Sequence, residues 1–158
     1  MMNWLRILLL IYPLAVSFSP TGDNPVTANS ENSIVYVGMN FMIPIHVEVA
    51  KGYHIQANKC NDEFLIPTTL EVTVNKYFIV TRQEFPPNKQ FKLQGSDSSL
   101  NVYDGKFTIK IFLSSLAGLQ SGKYIFAARL SYQACDSKTC LSPRFFDFTI
   151  PVEVKAIK

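Results

Sequence analysis

Apolar residues in this chain return at every second position over one short run after another, and helical spacing is nearly absent. In the first long run Phe41, Ile43, Ile45, Val47 and Val49 share one face, with Met42, Pro44, His46 and Glu48 on the other. Leu70, Val72 and Val74 repeat the pattern. So do Phe107, Ile109, Ile111 and Leu113, then Tyr124, Phe126, Ala128, Leu130 and Tyr132, and finally Phe146, Phe148, Ile150, Val152 and Val154. Successive side chains of a strand point to opposite sides of its sheet, so a period of two marks strands with one buried face. Turn chemistry separates the runs at Lys51-Gly52, Asp104-Gly105 and Ser121-Gly122. Pro44 has no amide hydrogen to give to a ladder, which predicts a sheet edge or a bulge there.

About seven short strands with one apolar face each predict an all-β fold, an immunoglobulin-like antiparallel β-sandwich of two sheets. The sandwich is expected over residues 34–158, after a polar N-terminal leader over 18–33. From Arg82 to Leu100 the pattern breaks: the segment is polar, carries Pro86 and Pro87, and has no period. A long loop inside a compact domain is often a lid or binding loop. Two readings stand side by side, a cap formed by Phe85 or Phe91 and a solvated connection with those rings tucked into the sandwich.

Residues 1–17 read as an export signal, with Arg6 near the start, an apolar run from Ile7 to Val16, and small residues at Ala15 and Ser17 that suit cleavage before Phe18. A membrane span needs about 20 apolar residues, so no stable anchor is expected once the signal is removed. The formal charge of +3 is small and scattered, which argues against nucleic acid or an anionic membrane as partner. The roughly 140 residues that remain fit one domain and can bury a core without help from disulfides.

Export gives the three cysteines meaning, because disulfides persist outside the reducing cytoplasm. Cys135 and Cys140, with Asp136 to Thr139 between them, are the natural pair. Cys60 is left over, expected as a single, partly buried thiol. A bridge over so small a loop stabilises a fold by only about 2 kcal/mol on the chain-entropy estimate, so its use is expected to be chemical. Exchange needs an attacking thiolate, an accessible sulfur and a second thiol to resolve the mixed disulfide. Lys138 and Arg144 would favour a thiolate and Asp136 would oppose it, with simple solvation of a loop as the plainer reading for Asp136 and Arg144. His54 titrates near neutral pH and is a candidate proton partner, with a structural histidine as the plainer alternative. Tyr53 and Tyr132 are candidate walls of the site, or else core packing.

Tyr132-Gln133-Ala134-Cys135 followed by Cys140 and Pro143 resembles the active-site signature of the N-terminal periplasmic domain of DsbD, the thiol:disulfide interchange protein. Gly52-Tyr53-His54-Ile55, Phe64-Leu65-Ile66-Pro67-Thr68, Val102-Tyr103-Asp104-Gly105 and Ile150-Pro151-Val152-Glu153-Val154 resemble further segments of that domain, in the same order. The resemblance implies a periplasmic protein-disulfide oxidoreductase component whose Cys135 and Cys140 are catalytic and need no metal or other cofactor. It implies a flexible cap over the pair, with Phe85 and Phe91 as its candidate residues. The implied partners are a membrane-embedded DsbD- or CcdA-like electron donor and periplasmic proteins of thioredoxin fold, with cytochrome c biogenesis among the processes such relays serve. No membrane-spanning segment or thioredoxin-like domain follows Lys158, so the donor is expected on a separate chain.

Two other classes remain open on the residues alone. Cys135, Cys140 and His46, His54, Met39 or Met42 would suit copper(I), a soft ion. Alternatively the domain is a non-redox interaction module stapled by an inert disulfide, since fold alone does not decide function.

Overall fold

The computed structural model describes residues 24–156, and among these every regular element is a strand. The export signal over residues 1–17 lies outside the described residues. One sheet runs in the order β1 (Val26–Asn29), β3 (Asn40–Val49), β9 (Lys106–Ser115), β6 (Phe78–Glu84). A second runs β2 (Ser33–Tyr36), β12 (Arg144–Lys155), β10 (Gly122–Tyr132), β5 (Thr69–Thr73). A third, smaller sheet holds β11 (Ala134–Cys135), β4 (His54–Gln56), β8 (Ser99–Tyr103) and β7 (Lys89–Lys92). The paired strands are antiparallel except β2, which lies parallel to β12. The immunoglobulin-like sandwich expected from the sequence is the fold of the chain.

The alternating runs become β3, β5, β9, β10 and β12, and their apolar faces meet. Ile43, Ile45, Ile109, Ile111 and Leu113 of the first sheet and Leu130 and Ile150 of the second are all 0% exposed. Phe78 bridges the layers edge to face, with its ring centroid 4.8 Å from that of Phe126 and 5.6 Å from that of Tyr124. Burial of each such side chain contributes about 1.5–3 kcal/mol, which makes this core the main source of stability.

Pro44 lies where a neighbour is missing, as its chemistry requires. β1 pairs with β3 only from Val49 to His46, so Pro44 is flanked by Lys110 of β9 alone. Pro151 repeats the arrangement in β12, opposite Ile125 and just before the pairing with β2 begins at Val152. Asp104 and Gly105 form a tight corner that passes the chain from the third sheet into the first, with Gly105 at a φ of 59°.

Two expectations need correction. The polar stretch taken as a leader over 18–33 contributes β1 and the start of β2, with Val26 and Ala28 buried in the core. A four-residue edge strand buries only two side chains, too few to register as a period. The Arg82 to Leu100 segment is likewise not one long loop: it holds the end of β6, all of β7 and the start of β8, joined by shorter irregular stretches. Only Phe91 of β7 turns inward, so its sequence shows no alternation.

Replacing Ile111 by Ala should cost about 2–5 kcal/mol of unfolding free energy in a urea titration. Ile125→Ala, at a position 71% exposed, should stay within about 0.5 kcal/mol of the parent. Equal losses at the two positions would refute the assigned inward and outward faces.

A capped cysteine pair as the candidate functional site

β10 ends at Tyr132, and after Gln133 the chain enters β11 beside β4, with Ala134 opposite Ile55 and Cys135 opposite His54. It then reverses within four residues. The Asp136 carboxylate accepts from the backbone N–H groups of Lys138 at 2.7 Å and Thr139 at 2.8 Å, while the Asp136 N–H donates to the Thr139 carbonyl at 2.9 Å. Those bonds return Cys140 to a bridge with Cys135, and Leu141 donates its N–H to the Ala134 carbonyl at 2.7 Å. Cys135 and Cys140 are joined, with sulfurs 2.02 Å apart and Cα atoms 3.9 Å apart.

The two sulfurs are not equivalent. Cys135 is 0% exposed, whereas Cys140 is only partly buried. Around them lies a small apolar cluster separate from the main core, made of Leu100 and Val102 of β8 with Leu65, Phe91 and Leu93 packed against it. The β7–β8 hairpin covers the pair from one side. Phe91 stacks on the His54 ring at 3.8 Å, and the Gln94 N–H reaches the Ser137 carbonyl at 3.0 Å, tying the hairpin end to the tip of the cysteine turn.

The candidate residues divide accordingly. His54 and Phe91 stand with the cysteines, and the buried His54 Nδ1 has no hydrogen-bond partner. Phe85 does not belong to the cap: it stacks on Tyr103 at 6.4 Å and packs on the main core. Tyr132 is 0% exposed within that core and donates its hydroxyl to Asn24 Oδ1. Burial raises its phenol pKa against the opposing charge of Arg144, its partner on β12, and its place in the core is that of a packing residue. Tyr53 also packs on the main core. Cys60 is a free, partly buried thiol that donates to the Ala57 carbonyl at 3.6 Å, and burial together with the Asp62 charge pushes its thiol pKa up. His46 and Met42, raised as copper ligands, sit on β3, and Met39 just precedes it, in a different sheet from the pair. Among the described residues no group of three or more His, Cys, Asp or Glu side chains converges.

Two glutamines have roles at the site that the sequence did not show. Gln56, 0% exposed, points its amide at the disulfide, with Nε2 at 3.2 Å from Cys135 Sγ and 3.7 Å from Cys140 Sγ. Gln133 braces the cysteine turn, accepting from the Ile66 N–H at 3.1 Å and donating to the Leu141 carbonyl at 3.3 Å. The signal for Gln56 was its place two residues after His54, which puts both side chains on one face of the strand.

No family model matches the sequence, and no curated protein matches it. Among solved structures, the N-terminal periplasmic domain of ScsB from Proteus mirabilis superposes with a TM-score of 0.54 at 16% identity, over 85% of this chain and 48% of that one. This chain therefore spans about half the length of that relative, and the likeness is one of fold. A cohesin-dockerin complex from Clostridium thermocellum follows with a TM-score of 0.46 at 12% identity, over 84% of this chain and 100% of that one.

Asp136 sets the shape of the turn, and its pKa is lowered by the hydrogen bonds from Lys138 and Thr139 and by the Lys138 charge, against a smaller opposing effect of desolvation. A lowered carboxylate pKa means the turn is fully supported above about pH 3.9, the ordinary aspartate value, and loses that support as pH falls through the folded value. The amide resonances of Lys138 and Thr139 should titrate together with a midpoint below about 3.9. A midpoint at or above the ordinary value would contradict the assignment.

Proposed function

We propose that the chain is an exported thiol–disulfide exchange domain that carries electrons through Cys135 and Cys140, from a membrane-embedded donor to thioredoxin-fold proteins outside the cytoplasm. One observation carries the reading: a disulfide closed over a four-residue turn, with Cys135 buried and Cys140 partly exposed beside a small aromatic cap. An inert staple needs neither the asymmetry nor the cap. The shared fold with a periplasmic domain of ScsB supports the same reading.

Accessibility assigns the steps. In the reduced protein Cys140 is the thiol a partner can meet, so its thiolate attacks the partner's disulfide and forms a mixed disulfide, releasing one partner sulfur as thiolate. Cys135 then attacks Cys140 Sγ from the buried side. The Cys135–Cys140 bond re-forms and the second partner sulfur leaves. Two electrons pass to the partner, and the two thiol protons of the pair end on its cysteines. The donor resets the domain by the same steps in reverse. Phe91 and the β7–β8 hairpin keep stray thiols from Cys140 until a partner displaces them.

With Cys60 changed to Ser, the Cys135→Ser protein should accumulate mixed disulfides with oxidised thioredoxin-fold proteins through Cys140, and Cys140→Ser should accumulate far fewer. Failure of both to capture any such protein would overturn the proposal. Phe91→Ala should speed reduction of the disulfide by dithiothreitol about two- to tenfold, the loss of one stacked aromatic contact. Phe85→Ala should lower stability and leave that rate unchanged; a rate set equally by Phe85 would refute the assigned cap.

A further inference from the structure

Gln56 is anchored more firmly than a chance neighbour of a disulfide needs to be. Its N–H donates to the Gln133 carbonyl at 3.0 Å and its own carbonyl accepts from the Thr68 hydroxyl, itself 1% exposed. The side chain is 0% exposed, its Nε2 faces both sulfurs, and its Oε1 has no hydrogen-bond partner. A buried amide with an unpaired oxygen and only weak sulfur acceptors is a poor arrangement, worse than an apolar side chain of the same size. The arrangement improves once the disulfide opens. Reduction produces a thiolate, a far stronger acceptor than a disulfide sulfur, and then S–H groups, the donors that Oε1 lacks.

We propose that Gln56 is a catalytic residue of the exchange reaction: its amide N–H holds the thiolate released on Cys135, and its Oε1 accepts an S–H of the protonated pair, so that Gln56 favours the reduced form. When a dithiol donor reduces the domain, a donor thiolate bonds to Cys140 Sγ and the Cys135–Cys140 bond breaks, its electron pair going to Cys135 Sγ. That sulfur lies 3.2 Å from Gln56 Nε2. The donor's second thiolate then bonds to its own first sulfur and releases Cys140. The donor ends as a disulfide, the pair gains two electrons, and the donor's two thiol protons end on Cys135 and Cys140. The same amide assists in the other direction by keeping Cys135 ionised for its attack on Cys140.

The proposal deepens the exchange reading and rests on it for the physiological step, but it is read out with a small-molecule dithiol. In the full chain carrying Cys60→Ser, Gln56→Met removes donor and acceptor at similar volume, and Gln56→Glu replaces the donor with a charge that repels a thiolate. Equilibrated against dithiothreitol or glutathione at neutral pH, Gln56→Met should lower the equilibrium constant for reduction about tenfold, which is about 30 mV for two electrons. Gln56→Glu should shift it the same way. In the parent protein the Gln56 side-chain amide resonances should move on reduction and titrate with the ultraviolet thiolate absorbance of the pair. Unchanged equilibrium constants in folded variants overturn the proposal, and so do Gln56 resonances that stay in place on reduction, whether or not the variants fold. A Gln56 effect in a domain that captures no protein partner would sink the relay and leave this assignment standing.

Discussion

Two registered residue pairs, Ala134 with Ile55 and Cys135 with His54, set the environment of the cysteines. A strand alternates its side chains between faces, so a slip of one residue between β11 and β4 would turn Cys135 away from Gln56 and towards the other side. The register is fixed from both ends. Tyr132, wholly buried at the end of β10, locks the incoming chain into the sandwich, and the bonds from Gln56 to Gln133 and from Leu141 to Ala134 hold the short strand in place. Position in the main core is thereby transmitted, over three residues, to the paired sulfurs.

That arrangement separates stability from chemistry. The main core draws its free energy from facing rows of Ile, Val, Leu and Phe side chains and does not include the disulfide. A bridge over so short a loop adds about 2 kcal/mol at most on the entropy estimate, so opening it leaves the sandwich intact. The second apolar cluster, around Leu100, Val102 and Cys135, is small and separate from that core. A switch that must open and close without unfolding its host is well served by such a division.

Much of this was legible before any coordinates. The period of two in Ile43 to Val49 or Ile109 to Leu113 requires a buried face, and those faces form the core. Cys135 and Cys140 could be paired from spacing and export alone. The residues that were misread are those whose role depends on long-range company. Val26 and Ala28 belong to a strand too short to show a pattern. The choice left open for Phe85 and Phe91, six residues apart in one polar stretch, is decided differently for each: Phe85 joins the main core and Phe91 the small cluster at the cysteines. Gln56 carries no chemical flag as a residue type, and only the approach of β11 gives it a sulfur to contact. Asp136 looked like an electrostatic opponent of a thiolate, yet its carboxylate is spent on two backbone N–H groups that shape the turn.

The reduction potential of the Cys135–Cys140 bond tests the central claim most directly, because an exchange centre must lie between its donor and its acceptor. Structural disulfides sit below about −300 mV, whereas known exchange proteins fall between about −270 and −120 mV. Equilibration of the domain with graded dithiothreitol and glutathione buffers should give a value in that upper range. A potential well below about −300 mV would mark the bond as an inert staple and contradict the relay.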